Sequence, residues 1–273
     1  MSSHAVTRPA GGLRVTIGAI LTIATRDVLR FVRDRARVVG TLIFPVIFIG
    51  ILGGSLQSNL GASAGYNLLV FTFIGVFAQT LFQSTVGGLT SLIEDRESNF
   101  TQELFIAPIS RYAIVFGKIL GESVVALLQA VIVIIFGVLV FRVPISPVQL
   151  LGLFPVALLI CGLGGGFGML VLSLVGSQRS ANQIVPFTIF PQFFLAGVFS
   201  PIQVLPWYLD WLSRITPLRY AVDLARGVFY AGKPEYNLVV LQPPLVNAAI
   251  IGVMFAVFLV VGTTLFVRSE QNR

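Results

Sequence analysis

Chemistry in this chain has to come from very few side chains: it holds 11 Asp and Glu, one His and one Cys in 273 residues. His4 stands near the N-terminus, so neither a histidine metal cluster nor a Ser-His pair can be assembled. Cys161 is alone in an apolar run, which rules out an intrachain disulfide or cysteine zinc site and reads as a small buried hydrophobe. Gly117-Lys118 is followed by Ile119 and has Tyr112 where a phosphate-binding loop needs its first glycine, so no P-loop holds ATP here. Gly162, Gly164, Gly165, Gly166 and Gly168 miss the dinucleotide-binding spacing. They, like Gly50 with Gly54 and Gly117 with Gly121, are expected to let helices pack closely. Glu122 is the only acidic residue inside an apolar segment, and Lys118, four residues earlier, is its expected partner.

One charged island lies between long apolar runs. It comprises Glu94-Asp95-Arg96-Glu97, Gln102-Glu103-Leu104, Pro108-Ile109-Ser110-Arg111 and Gly117-Lys118. A bilayer leaves no partner for exposed backbone groups, so the island belongs outside the hydrocarbon. It reads either as a solvated loop or as a surface shown to a soluble partner. Its apolar members Phe100, Leu104, Phe105 and Ile106 favour the partner.

The elements that position these residues follow from composition. The chain is 56% hydrophobic and 11% charged, with 23 Phe and a mean hydropathy of +0.92, whereas soluble domains are about 25% charged. It reads as an integral membrane protein. The net charge of +7 is explained by Lys and Arg flanking spans, not by nucleic-acid binding. Six apolar segments, 38–56, 68–93, 114–140, 150–175, 184–198 and 245–267, approach the roughly 20 residues a spanning helix needs. The fifth is short. Its continuation, 199–237, is punctuated by Pro201, Pro206 and Pro217, and is expected as short helices dipping into the outer leaflet or as a surface loop. Ahead of the first span, Leu13, Ile17, Ile20, Leu21, Ala24, Val28, Phe31 and Val32 recur at helical spacing, with Arg26, Arg30, Arg33 and Arg37 on another face. Such a helix lies in the interface plane, its arginines toward anionic lipid or a docked protein. No secretory signal peptide is expected.

Orientation follows from charge. With the N-terminus inside, cytoplasmic segments carry 13 of the 18 Lys and Arg, counting Lys118 among them. Both termini and the island are therefore expected in the cytoplasm. Outside, Arg219 with Asp223 and Asp223 with Arg226 have helical pairing distances. The layout is a leader and interface helix over 1–37, a six-span domain over 38–267 and a tail over 268–273.

Polar residues within spans mark either a pathway or interhelical hydrogen bonds, the latter worth about 0.6 kcal/mol on average. Thr72, Gln79, Gln83 and Thr90 share a face of the second span, with Thr80, Ser84 and Ser91 beside them. Gln192, between Pro186 and Pro191, is a further pathway candidate, or part of a simple kink. Spacing leaves both readings open.

The island resembles the cytoplasmic loop of type-2 ABC transporter permeases. Phe199-Ser200-Pro201, Leu205-Pro206, Trp211-Leu212 and Thr216-Pro217-Leu218-Arg219-Tyr220, through Asp223 and Arg226, resemble the same family's region before the final span, nearest to the daunorubicin-resistance type of drug exporter. One departure is Asn99-Phe100-Thr101, where family members commonly have Gly-Thr. The resemblance implies an all-α polytopic permease without catalytic residues, metal or cofactor of its own. ATP and Mg would be bound by a separate ATPase subunit, usually in an assembly of two permeases and two ATPases in the cytoplasmic (inner) membrane. It further implies outward movement of an amphipathic substrate: a drug-like molecule, a lipid or a lipid-linked glycan. The cytoplasmic coupling helix would use Glu94, Arg96, Glu97, Phe100, Glu103, Leu104, Phe105 and Pro108 to carry ATPase movement to the spans. The alternatives are a gradient-driven carrier, which needs carboxylates or histidines deep in its spans, and a non-transporting membrane assembly protein.

Overall fold

The computed structural model describes residues 13–93 and 111–271, and every regular element among them is helical. The first helix, α1 (Leu13–Arg33), stops because Asp34 leaves helical geometry and caps the next helix, its carboxylate accepting the Arg37 N–H at 2.9 Å. Arg37, expected on the interface helix, therefore belongs instead to α2 (Arg35–Ala64). Pro45 inside α2 offers no N–H, and the ladder widens into a π turn over Phe48–Gly53. Past that turn α2 continues beyond the expected end of the first span, until Gly65 closes it at φ 76°.

Asn67 caps α3 (Leu68–Gly88), accepting the Val70 N–H at 3.0 Å. This helix is the central post, buried without interruption over residues 70–82. It packs against α2, α4 (Arg111–Leu139) and α5 (Pro147–Ser173).

Small residues set these approaches, as expected of a membrane bundle. A Cβ at Gly117 or Gly121 would come within 3.1 Å of Ile20 Cα or 2.9 Å of Ala24 Cα, so α1 lies directly on the α4 backbone. The glycine run of α5 serves three neighbours. Gly164 meets α3 (2.8 Å to the Phe82 carbonyl), Gly165 meets Ile119 of α4 at 2.7 Å, and Gly166 meets Phe255 at 3.1 Å. Gly54, expected at a contact, meets nothing within 4 Å; Gly53 takes that place, 3.3 Å from Thr72 Cβ.

Next comes α6 (Gln178–Leu195), with Pro186 and Pro191 inside it. Two short helices follow, α7 (Trp207–Arg214) and α8 (Pro217–Phe229), then α9 (Tyr236–Val239) and α10 (Pro244–Gln271). Among the described residues, five stretches are long and apolar enough to cross a membrane: Arg35–Ala64, Leu68–Ile93, Ile114–Leu139, Pro147–Ser173 and Tyr236–Phe266. The remaining expected span falls in α6, whose first turns carry Gln178, Arg179, Asn182 and Gln183.

The segment before α10 is neither a loose loop nor uniformly amphipathic. Helix α8 is buried along nearly its whole length against α3, α5 and α10, while α7 exposes Trp207, Tyr208 and Trp211. The charge pairing expected there is different in the fold. Arg219 donates to Asp210 at 3.1 Å and to the Ser213 hydroxyl. Arg214, hydrogen-bonded to Asp210 at 2.8 Å, together with Arg219 holds that carboxyl below its usual range. Asp223 accepts from the Leu241 and Gln242 N–H groups (2.8 and 2.9 Å) and from Asn247 (2.7 Å), tying α8 to the start of α10. Arg226 donates to the Phe71, Gly197 and Val198 carbonyls (3.3, 2.8 and 3.2 Å) and stacks 3.4 Å from the Phe71 ring centroid. Helical spacing made those pairs possible, but Asp210 and Ser213 took Arg219, and backbone groups together with Asn247 took Asp223 and Arg226.

Candidate functional site

Two features carry the polar chemistry of the described residues, and Arg37 stands at the wall between them. The first is a buried ionic knot at the base of α4. Lys118 is 2% exposed and bridges two helices, 2.7 Å from Asp27 of α1 and 3.2 Å from Glu122 one turn along α4. Arg26 sits 3.2 Å from Asp27, and Arg37 of α2 3.7 Å from Glu122. A side chain at Gly88, the last residue of α3, would overlap the Glu122 carboxylate. Four helices therefore meet at one set of charges, around a polar cavity of about 230 Å³ also lined by Arg30, Asp34 and Ser91.

The Lys118–Glu122 pair follows from its spacing, but Asp27 was not anticipated. Its signal is positional: on the α1 face that buries Ala24 and Phe31, Asp27 is the acidic member. A buried carboxylate there demands a cation from the neighbouring helix.

The second feature is a groove between α2, α3 and α6, made of two adjoining cavities of about 460 and about 410 Å³. Phe44, Gln83 and Gly87 line both. The first continues over Arg37, Thr41, Thr80, Ser84 and Gln129; the second over Thr90, Asn182, Val185, Ile189, Phe190 and Phe193.

The structure separates the four pathway candidates by depth. Gln83 is exposed and lines both cavities. Gln79 is 1% exposed with its Oε1 lacking a hydrogen bond, and Thr72 is wholly buried beneath Gly53. Gln192 is buried, its amide donating back to the Thr188 carbonyl at 3.1 Å. The neighbours Thr80, Ser84 and Thr90 join Gln83 at the cavities. Gln129 and Asn182 escaped notice in the sequence; each is an amide in or beside an apolar run, the pattern that points toward protein or a cavity.

Arg26 and Arg30 lie along α1 beside the knot, and Arg33 is exposed at its end. The α1 face bearing Ile17, Leu21 and Val32 is exposed, which suits the membrane interface. The coupling candidates Glu94, Arg96, Glu97, Phe100, Glu103, Leu104, Phe105 and Pro108 all lie outside the described residues. Among the described residues no group of His, Cys, Asp and Glu could hold a metal ion.

A family profile described as ABC-2 type transporter matches residues 18–230. The chain is 31% identical over 140 residues to the probable multidrug ABC transporter permease YbhR of Escherichia coli, a match covering 51% of this chain and 38% of that one. It is 24% identical over 221 residues to the putative transport permease ycf38 of Cyanophora paradoxa, covering 78% and 74% of the two chains. The permease YbhS of E. coli shares 27% identity over 172 residues, covering 62% and 45%. The matched stretches thus span less than half the length of either E. coli relative.

Proposed function

This chain belongs to the ABC-2 type transporter family, and on that premise we propose that it is the membrane-spanning permease subunit of an exporter driven by a separate ATPase. ATP and Mg would be bound by that partner. The permease has no catalytic role of its own; it moves an amphipathic drug-like molecule, lipid or lipid-linked glycan outward across the cytoplasmic membrane. Both termini and the island 94–111 face the cytoplasm in this reading, and α6 is the remaining span. In sequence the segment 94–110 joins Ile93 to Arg111, close to Gly88 and Lys118 of the knot that links α1, α2, α3 and α4, so motion imposed on it would reach four helices.

The observation that carries the transport reading is the groove, whose two cavities meet at Gln83. It is flanked by exposed apolar side chains, Ile43 and Ile47 on α2 and Phe187 and Phe194 on α6. A second permease copy covering those faces would turn the groove into an enclosed path.

Depth makes the pathway testable. Gln83→Leu should change transport rate or substrate preference severalfold at near-normal membrane abundance. Gln79→Leu, inside the packed post, should leave transport per molecule near the parent value. The measurement is transport normalised to permease in the membrane. Equal effects of the two substitutions would remove the groove as the pathway.

A further inference from the structure

We propose that the groove selects an amphiphile with an anionic, phosphate-class head, seated on Arg37, with its apolar body along the aromatic end; this rests on the groove being the pathway. The charges are one-sided. Among the described residues no carboxylate lines either cavity, and Arg37 is the single ionised side chain facing them. Its guanidinium is only loosely engaged, 5.7 Å from the Phe31 ring centroid and in a long ion pair with Glu122. The nearest carboxylate oxygen, Glu122 Oε2, is 3.7 Å away, beyond hydrogen-bond reach, and has no hydrogen-bond partner of its own among the described residues. The other Glu122 oxygen is 3.2 Å from Lys118, which is hydrogen-bonded to Asp27 at 2.7 Å. Arg37 keeps over a third of its side chain accessible.

A guanidinium in this state offers a planar fork of N–H donors matched to phosphate or carboxylate oxygens. A cationic head placed there would meet a like charge, with no carboxylate lining either cavity and only Glu122, 3.7 Å behind the guanidinium, to offset it. The two ends differ in charge and in the kind of apolar surface they offer. The Arg37 end holds Thr41, Ser84 and Gln129; the far end keeps Thr90 and Asn182, has no ionised side chain, and adds Val185, Ile189, Phe190 and Phe193. Arg37 lies near the start of α2; with the N-terminus cytoplasmic, that end of the span would face the inner-leaflet phosphates. An amphiphile taken from that leaflet would set its head on Arg37 and its tail against the aliphatic and aromatic side chains of α6.

The test uses two fluorescent probes with the same pyrene-labelled alkyl chain, one ending in phosphate and the other in trimethylammonium. They are titrated against the purified permease in phosphatidylcholine nanodiscs. The phosphate probe should bind about tenfold or more tightly, as one charge-assisted contact implies. Arg37→Gln should erase that preference by weakening the phosphate probe, with the ammonium probe bound no more weakly than before, and Arg37→Lys should restore part of it. Glu122→Gln removes the competing carboxylate and should strengthen phosphate binding severalfold, a gain that damaged folding cannot mimic. Competition by phosphatidic acid added to the disc would assign the head to a two-chain lipid; competition by dodecyl phosphate alone would assign it to a free amphiphile, and either supports the proposal. Phe193→Ala should weaken both probes alike. If it does, and Arg37→Gln leaves the preference intact, the anionic head is refuted while the pathway stands. If neither substitution affects either probe, the groove is not the binding site and the pathway falls with it.

Discussion

Lys118→Met should nearly abolish accumulation of folded permease. The substitution keeps the side chain's length but leaves Asp27 and Glu122, at 2% and 3% side-chain exposure, without their shared cation. Removing one partner of a buried ion pair costs about 3–5 kcal/mol, a large part of the roughly 5–15 kcal/mol that holds a typical domain together. Asp27→Asn in the same chain should recover much of the loss, because an amide beside the new methionine no longer leaves a buried charge with only the part-exposed Arg26 to balance it. Membrane abundance and the melting midpoint of purified protein report both effects. A single substitution as stable as the parent would mean that the knot does not clamp α1 to α4.

The second large effect is expected at Arg226, which has no ion-pairing carboxylate among the described residues and binds main-chain carbonyls instead. Arg226→Leu would take the guanidinium donor from the Gly197 and Val198 carbonyls in the turn after α6, while the Phe71 carbonyl would keep its place in the α3 ladder. Leaving a buried polar group unsatisfied costs about 1–3 kcal/mol, so a total of about 3 kcal/mol or more is expected. Lysine is a poor substitute, since its point charge cannot reach the same carbonyls while stacking on Phe71. Arg214→Leu is the control. Its pair with Asp210 is 63% exposed on the arginine side, where such contacts contribute about 0–1 kcal/mol. A comparison of melting midpoints decides the matter; similar losses at the two positions would contradict the carbonyl-clamp role of Arg226.

The all-helical fold and most of its spans were legible because hydrocarbon solvent imposes a length and an apolarity that any helix crossing it must show. The small-residue contacts were legible as a class: Gly117, Gly121 and the α5 run all lie where helices touch, although Gly53 rather than Gly54 does so. What spacing within one helix cannot reveal is competition from another element. Asp223 and Arg226 sit at a pairing distance, yet each is claimed by backbone brought in from chain turns far away in sequence. Asp27 was hidden for the same reason, since its cation comes from α4. Arg37 continued the helical arginine series on paper, and only the break at Asp34 moves it to α2 and to the edge of the groove. The polar stripe of α3 was a true feature of one face, but depth decides its use: Gln83 reaches the cavities and Gln79 stays inside the packed post.

The most direct measurement of the central claim is purification of this chain from its native membrane, followed by an assay of ATP hydrolysis and its stimulation by substrate in the eluate. The parent chain should bring an ATPase with it. Leu104→Asp should lose that activity, because a carboxylate desolvated in an apolar seat without a partner costs several kcal/mol. Glu103→Lys should lose far less, on the proposal that this side chain sits at the rim of the contact. Copurification and stimulated hydrolysis unchanged by Leu104→Asp would remove the island as the coupling element, and an unmodified chain that brings no ATP hydrolysis with it would contradict the permease of an ATP-driven exporter.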